Sequence, residues 1–285
     1  MGIEAEERAT LMRFIERNVG VAPRDLDEGI GTIYERMVID DFFRELQRDR
    51  NISTVLENPA DGVTGVPGIN SLEFARAGGE VWLTNPSQMM LDSARLVWQH
   101  QGLIERVHFT RCDVDDTPFG DNSFDLVWNY CMFERFRDPA PLVAEMKRVS
   151  NRYVLIMTQN ASNLGTLFHK MYHRLCDLEW DHGYEPQMAF GAIRHALTDQ
   201  GMKVELEGSV DIPPWMDTWD MPLRGELKQM LSRLGKRWEW KIEKQGERTD
   251  SSASRVVNFV RDIEVNLPEW FRRFQAHHLY LLARK

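Results

Sequence analysis

The chain has 285 residues, 42% of them hydrophobic and 28% charged, which is ordinary globular usage and favours neither disorder nor a membrane class. Its net charge of -9, from 44 acidic side chains against 35 lysines and arginines, disfavours a broad phosphate-binding surface, so nucleic acid is not expected as a partner. That length accommodates one large α/β domain with an elaboration and a sizeable buried core.

Residues 1–50 read as an N-terminal helical cap, because Ile33, Met37, Val38, Phe42, Phe43 and Leu46 recur near the 3.6-residue period among charged residues. From Asn51 the pattern changes to short β-rich runs alternating with amphipathic helices. Strands are expected at Thr54–Glu57, Glu80–Thr84, Val107–Arg111, Phe124–Trp128 and Tyr153–Thr158. The helices between them include 69–77, 87–101 and 141–150. The succession of βα units predicts an α/β fold with a doubly wound, mostly parallel sheet over residues 51–212.

After Asn160 helices are expected at 163–176 and 187–200, separated by a loop through Trp180, Asp181, His182 and Gly183, and a strand at Lys203–Leu206 follows. Pro213 and Pro214 break the chain, and 213–272 reads as a helical insertion rich in Trp and Arg, with a mobile loop at 241–254. Residues 273–285 carry the last strand of the core sheet, centred on His278–Ala283.

Chemistry-bearing positions fall at the carboxyl ends of the proposed strands, where open α/β sheets bind ligands. The first strand ends on Glu57 and enters a loop with Asp61, Gly62, Gly65 and Gly68, whose glycines let backbone N–H groups approach a ligand closely. The second strand leads to Asn85, the third to Cys112, Asp113 and Val114, and the fourth to Asn129 and Tyr130. Cys112, Cys131 and Cys176 are odd in number and form no C-x-x-C pair, which argues against a disulfide framework and a zinc site and favours a reducing cytoplasm. No basic-then-apolar leader and no apolar run of about 18 residues is present, so neither a secretory signal nor a spanning helix is expected.

These pieces, over roughly residues 52–160, resemble the class I S-adenosylmethionine-dependent methyltransferases. The resemblance is carried by the glycine loop after a strand ending in an acid, by Met90-Leu91-Asp92-Ser93-Ala94-Arg95, and by Asp113 followed by Pro118-Phe119 and Asn122-Ser123-Phe124-Asp125. It implies a Rossmann-like sheet and S-adenosyl-L-methionine as cofactor, bound by Glu57, Asp61, Gly62, Gly65, Gly68, Asn85, Asp113, Val114 and Asn129. Within it, Asp113 would meet the adenine amino group and Val114 would offer a backbone N–H to the ring. Two departures stand out: the loop is about five residues longer than usual, and the customary acid at the end of the second strand is Asn85.

The acceptor is expected to be a small or lipid-like molecule. Tyr130, Trp180 and Tyr184 are the expected acceptor contacts, and His182 is the expected base, because an imidazole is suited to accept a proton near neutrality. His169 and His173 are spaced i, i+4, but without a third ligand on the same helix they read as a solvated face, and no metal is expected. Trp215, Trp219, Trp238, Trp240 and Trp270 read mainly as core, with an aromatic acceptor pocket as the alternative. Competing functions are a nicotinamide-dependent oxidoreductase, which lacks a Tyr-x-x-x-Lys pair here, and a non-catalytic or altered-cofactor binding protein on the same scaffold. The oligomeric state is not read from the sequence.

Overall fold

The computed structural model describes residues 3–18, 30–60, 67–177, 180, 182–212 and 252–285. In chain order the elements are α1 (Ala5–Asn18), α2 (Ile30–Arg50), β1 (Thr54–Glu57), α3 (Leu72–Arg76), β2 (Glu80–Asn85), α4 (Gln88–His100), β3 (Val107–Arg111), β4 (Phe124–Tyr130), α5 (Ala140–Val149) and β5 (Ser150–Gln159). They continue with α6 (Leu164–Leu175), α7 (Phe190–Asp199), β6 (Lys203–Val210), α8 (Ser252–Asn266), α9 (Glu269–Gln275) and β7 (His278–Arg284).

The seven strands form one sheet in the order β3-β2-β1-β4-β5-β7-β6. Pairing is parallel from β3 through β5, whereas β7 runs antiparallel between β5 and β6. The order reverses between β1 and β4, which opens a crevice at their carboxyl ends. Because β7 is reversed, its first residue, His278, pairs with Gln159 and Val210 and so lies at that same edge.

Both faces of the sheet are covered, which is why the central strands read as almost continuous apolar runs. On one face Leu126 and Trp128 of β4 pack with Tyr34 and Phe43 of α2, Phe74 of α3 and Trp98 of α4. The Phe43 ring meets Phe74 at 4.7 Å and Trp128 edge-on at 4.6 Å, fixing α2 across the sheet. On the other face Val127, Val154 and Ile156 pack with Leu142 and Met146 of α5 and with Ile193 and Leu197 of α7.

The expected strands are all present, and several are longer than periodicity alone suggests. β5 begins at Ser150 and β6 continues to Val210, four residues beyond the expected end. The first helix of the βαβ unit is shorter, Leu72–Arg76 instead of 69–77. Of the expected insertion, 213–251 lies outside the described residues, with Trp215, Trp219, Trp238, Trp240 and most of the 241–254 loop; 252–266 form α8, so 252–254 are helix where a mobile loop is expected. Trp270 is 71% exposed on α9, which places it neither in the core nor in a closed pocket.

Candidate functional site

The carboxyl edge between β1, β2 and β4 is built from buried polar side chains that bind one another. Glu57 accepts a hydrogen bond from the Ser71 hydroxyl at 2.5 Å, and the Trp128 indole donates to that same hydroxyl at 3.1 Å. Asn58 donates from Nδ2 to the Val114 carbonyl at 2.7 Å and accepts from the Thr84 hydroxyl at 2.8 Å. The loop after β1 is thereby tied to the end of β2 and to the loop after β3. Asp61, Gly62 and Gly65 lie outside the described residues.

Two expected cofactor contacts have other uses. Gly68 has φ +68°, and a Cβ there would lie 2.4 Å from Leu83 Cδ1, so this glycine is required for close packing against β2. Asn85 is buried, donates from Nδ2 to the Ala60 carbonyl at 2.7 Å, and accepts from the Ser87 N–H at 2.8 Å. Its amide pins the loop after β1. An aspartate there would keep the Ser87 contact and lose the one to Ala60.

Asp113 has an exposed side chain, at 57%, and pairs at 3.0 Å with Arg8 of α1, which also grips Asp115 at 2.6 Å. The Ile3 N–H donates to Asp115 as well, at 2.7 Å, and α1 is thus fastened over the loop after β3. Val114 is buried beside it. Cys112 is half-buried, and burial together with Asp113 pushes its thiol up to about 12, so it is held as an unreactive thiol.

At the end of β4, Asn129 is fully buried; its Nδ2 reaches Met146 Sδ at 3.3 Å, while its Oδ1 accepts no hydrogen bond among the described residues. The same is true of Oδ1 of buried Asn70, just before α3. A buried carbonyl oxygen without a donor costs about 1–3 kcal/mol. Two such oxygens after β1 and β4 suit a ligand that brings its own donors.

The next residue, Tyr130, donates its hydroxyl to Glu35 of α2 and contacts Nε2 of His278 at 3.0 Å. With the hydroxyl proton directed to Glu35, His278 Nε2 is the donor of the second contact. Burial, reinforced by Asp211, pushes the Glu35 carboxyl up to about 8, and burial pulls His278 down to about 3. Asp211 follows β6, pairs with His277 at 2.9 Å, and offers its N–H to Glu264, which also accepts from the Tyr34 hydroxyl. Glu35, Asp211 and His278 were missed in the sequence. Ending β6 at Leu206 hid the fact that Asp211 lies at the carboxyl edge, and the reversal of β7 hid His278.

The expected base stands in a different setting. His182 Nε2 lies 2.8 Å from His169 Nε2 and 3.4 Å from His173 Nε2, and the latter two are 2.9 Å apart. His169 and His173 are buried, at 6% and 5%, so they do not form a solvated face. The third imidazole comes from another element, which same-helix spacing could not reveal.

The loop bearing His182 is held on three sides. Gly183 has φ +105°, and a Cβ there would meet the Glu134 carbonyl at 2.5 Å. The Tyr184 N–H donates to that carbonyl at 2.7 Å, and the Trp180 indole donates to the Gly183 carbonyl at 3.1 Å. Trp180 also packs on the three imidazoles, while the Tyr184 ring lies under Arg137. Asn160, another residue of the segment after β5, donates to the carbonyls of Arg273 and Ala276 and holds the chain entering β7.

The fold is an α/β sheet of the doubly wound type, with the crevice where such sheets bind ligands at the β1/β4 switch point. Residues 63–154 match the family model of the methyltransferase domain. That stretch of the chain, about a third of it, is thus similar to the methyltransferase domain, in line with the resemblance to the class I S-adenosylmethionine-dependent enzymes. No curated protein matches the chain by sequence.

Solved structures share the fold. Magnesium protoporphyrin IX methyltransferase from Synechocystis PCC 6803, with bound S-adenosylhomocysteine, is 14% identical, with a TM-score of 0.54 over 98% of this chain and 95% of that one. A protein from Galdieria sulphuraria assigned as a sarcosine dimethylglycine methyltransferase is 16% identical, with a TM-score of 0.54 over 87% and 86%. The [4+2]-cyclase SpnF is 16% identical, with a TM-score of 0.51 over 86% and 80%. The unpartnered Asn70 and Asn129 oxygens and the exposed Asp113 carboxylate fit a cofactor that carries ammonium, hydroxyl and amino donors.

Proposed function

We propose that the protein transfers the methyl group of S-adenosylmethionine to a small or lipid-like acceptor that meets the polar set Glu35, Tyr130 and His278. The observation that carries this reading is the position of Tyr130. It directly follows Asn129 at the end of β4, and its hydroxyl lies between a carboxyl group and an imidazole. The magnesium protoporphyrin IX enzyme gives the fold a precedent for a large apolar acceptor.

The cofactor supplies an electrophilic methyl group on a sulfonium. Asn129 and Asn70 would accept hydrogen bonds from it, Asp113 would hold its adenine amino group, and Val114 would offer its backbone N–H. Much of the acceleration then comes from alignment and from exclusion of water by α1 and α2. Tyr130 orients the acceptor. Glu35, whose carboxyl is raised to about 8, takes the acceptor proton in its deprotonated form as the new bond to carbon forms and the bond to sulfur breaks, so transfer rises as pH approaches and passes 8.

In this reading Trp180 and Tyr184 flank the acceptor side while His182 is tied to the other histidines. The polar, small-molecule character of the site and the net charge of -9 agree with a cytoplasmic enzyme that has no nucleic-acid partner. Among the described residues no helix is long and apolar enough to cross a membrane.

The test is transfer of label from methyl-labelled cofactor to a panel of amine, hydroxyl and carboxylate acceptors, including isoprenoid and tetrapyrrole compounds. A labelled small-molecule product that disappears in Glu35→Gln, with binding of S-adenosylhomocysteine retained, is the expected result. Undiminished transfer by that variant would remove Glu35 from the acceptor site.

A further inference from the structure

We propose that His169, His173 and His182 form a binding site for a divalent transition-metal ion of the zinc class, held by three neutral imidazoles. Its three ligands are none of the residues assigned to the cofactor or to proton transfer, and the proposal does not depend on the acceptor reading. It joins α6 to the loop that carries His182.

The geometry of the three rings points to a cation. The Nε2 atoms form a closed triangle with sides of 2.8, 2.9 and 3.4 Å. In a neutral imidazole each Nε2 is either a donor or an acceptor. Three such atoms cannot alternate around a triangle, so at least one side sets two donors or two acceptors against each other. Protonating a ring adds only donors. A cation at the centre reconciles all three, because each Nε2 then directs its lone pair inward. Tetrahedral zinc with Zn–N bonds of about 2.0–2.1 Å sets its ligand nitrogens about 3.3 Å apart. The longest side already has that length, and the two shorter ones need to open by about half an ångström.

The sequence builds this convergence from two elements. His169 and His173 are four residues apart on α6, which stacks them on one helix face. His182 is brought to them by the loop that Gly183 and Tyr184 anchor on the Glu134 carbonyl. Trp180 lies against all three rings, 4.7 to 5.9 Å between centroids, and supplies an apolar wall. Lys170 of α6 stacks on Trp180 and is paired with Glu185, which limits its repulsion of a bound ion. Three imidazoles leave a fourth position for solvent or another ligand, and nitrogen donors favour zinc, cobalt, nickel or copper over magnesium or calcium.

The experiment is titration of the full-length, chelator-treated protein with cobalt(II) as a spectroscopic stand-in, followed by competition with zinc(II). One cobalt per chain, with the intense visible absorption of a four-coordinate site that zinc abolishes, is expected. His169→Ala, His173→Ala and His182→Ala should each weaken cobalt binding at least tenfold, whereas His195→Ala, at an exposed position of α7, should not. Circular dichroism of each variant separates loss of ligand from loss of fold. Zinc should also raise the unfolding temperature of the unaltered protein, since an ion that binds only the folded state stabilises it. The proposal is overturned if the unaltered protein binds no cobalt at about a hundred times a micromolar dissociation constant, or if a folded variant of any of the three histidines binds as the parent does.

Discussion

Asn85, the last residue of β2, donates its amide to the Ala60 carbonyl 2.7 Å away, so the end of this strand secures the loop leaving β1. Its oxygen is also engaged, by the Ser87 N–H that opens α4. An amide satisfies both a carbonyl and an N–H here, which an ionised carboxylate cannot.

Asn85→Asp is therefore expected to be destabilising. The carboxylate keeps the Ser87 contact but turns an acceptor toward the buried Ala60 carbonyl. A loss of about 1–3 kcal/mol is expected in urea unfolding, the usual consequence of an unsatisfied buried group. Unchanged stability with tighter cofactor binding would restore the direct ribose reading.

Gly183→Ala should disrupt the loop after α6. Its φ of +105° is costly for any side chain, and the new methyl group would overlap the Glu134 carbonyl. A destabilisation of about 1–3 kcal/mol is expected in the same assay, with quenching of Trp180 fluorescence altered as the loop shifts. A variant as stable as the parent would show that the loop is not held against Glu134.

Two groups at the acceptor end give opposite pH signatures. The Glu35 carboxyl is raised from about 4.5 to about 8, so between these values the folded chain keeps a proton that the unfolded chain releases. Stability from this group is complete below pH 4.5 and is lost as pH rises through 8. His278 is lowered from 6.5 to about 3; its contribution is complete above pH 6.5 and is lost as pH falls through 3. Glu35→Gln should flatten the decline between pH 4.5 and 8, and His278→Gln should flatten the loss on the acid side. Unfolding free energies measured across that range check both, and parallel curves for parent and variants would contradict the burial of these groups.

The sheet was legible because parallel strands covered on both faces leave short apolar runs such as Val55-Leu56 and Leu126-Val127-Trp128, separated by amphipathic helices. The cofactor edge was legible as positions, since each of Glu57, Asn85, Asp113 and Asn129 follows or ends a strand. What those side chains touch was not. Whether the Asn85 amide faces a ligand or Ala60 depends on the path of a loop 25 residues earlier in the chain, which local pattern does not encode. The histidine cluster joins a helix to a loop, and the Tyr130–Glu35–His278 contacts join three elements separated by 95 and 148 residues. Such long-range convergence is set by packing of α2 and by the reversal of β7, neither of which has a local signature.

The central claim is that S-adenosylmethionine occupies the crevice at the carboxyl ends of β1 to β4, with Asp113 at its adenine. Calorimetric titration of the parent and Asp113→Ala with S-adenosylhomocysteine, and of the parent with NAD, tests this most directly. The account predicts one adenosyl ligand per chain, no NAD binding, and a loss of about 1–3 kcal/mol in Asp113→Ala, or roughly tenfold to a hundredfold in dissociation constant. Tight NAD binding without a response to the adenosyl compound, or an unchanged dissociation constant in Asp113→Ala, would contradict it.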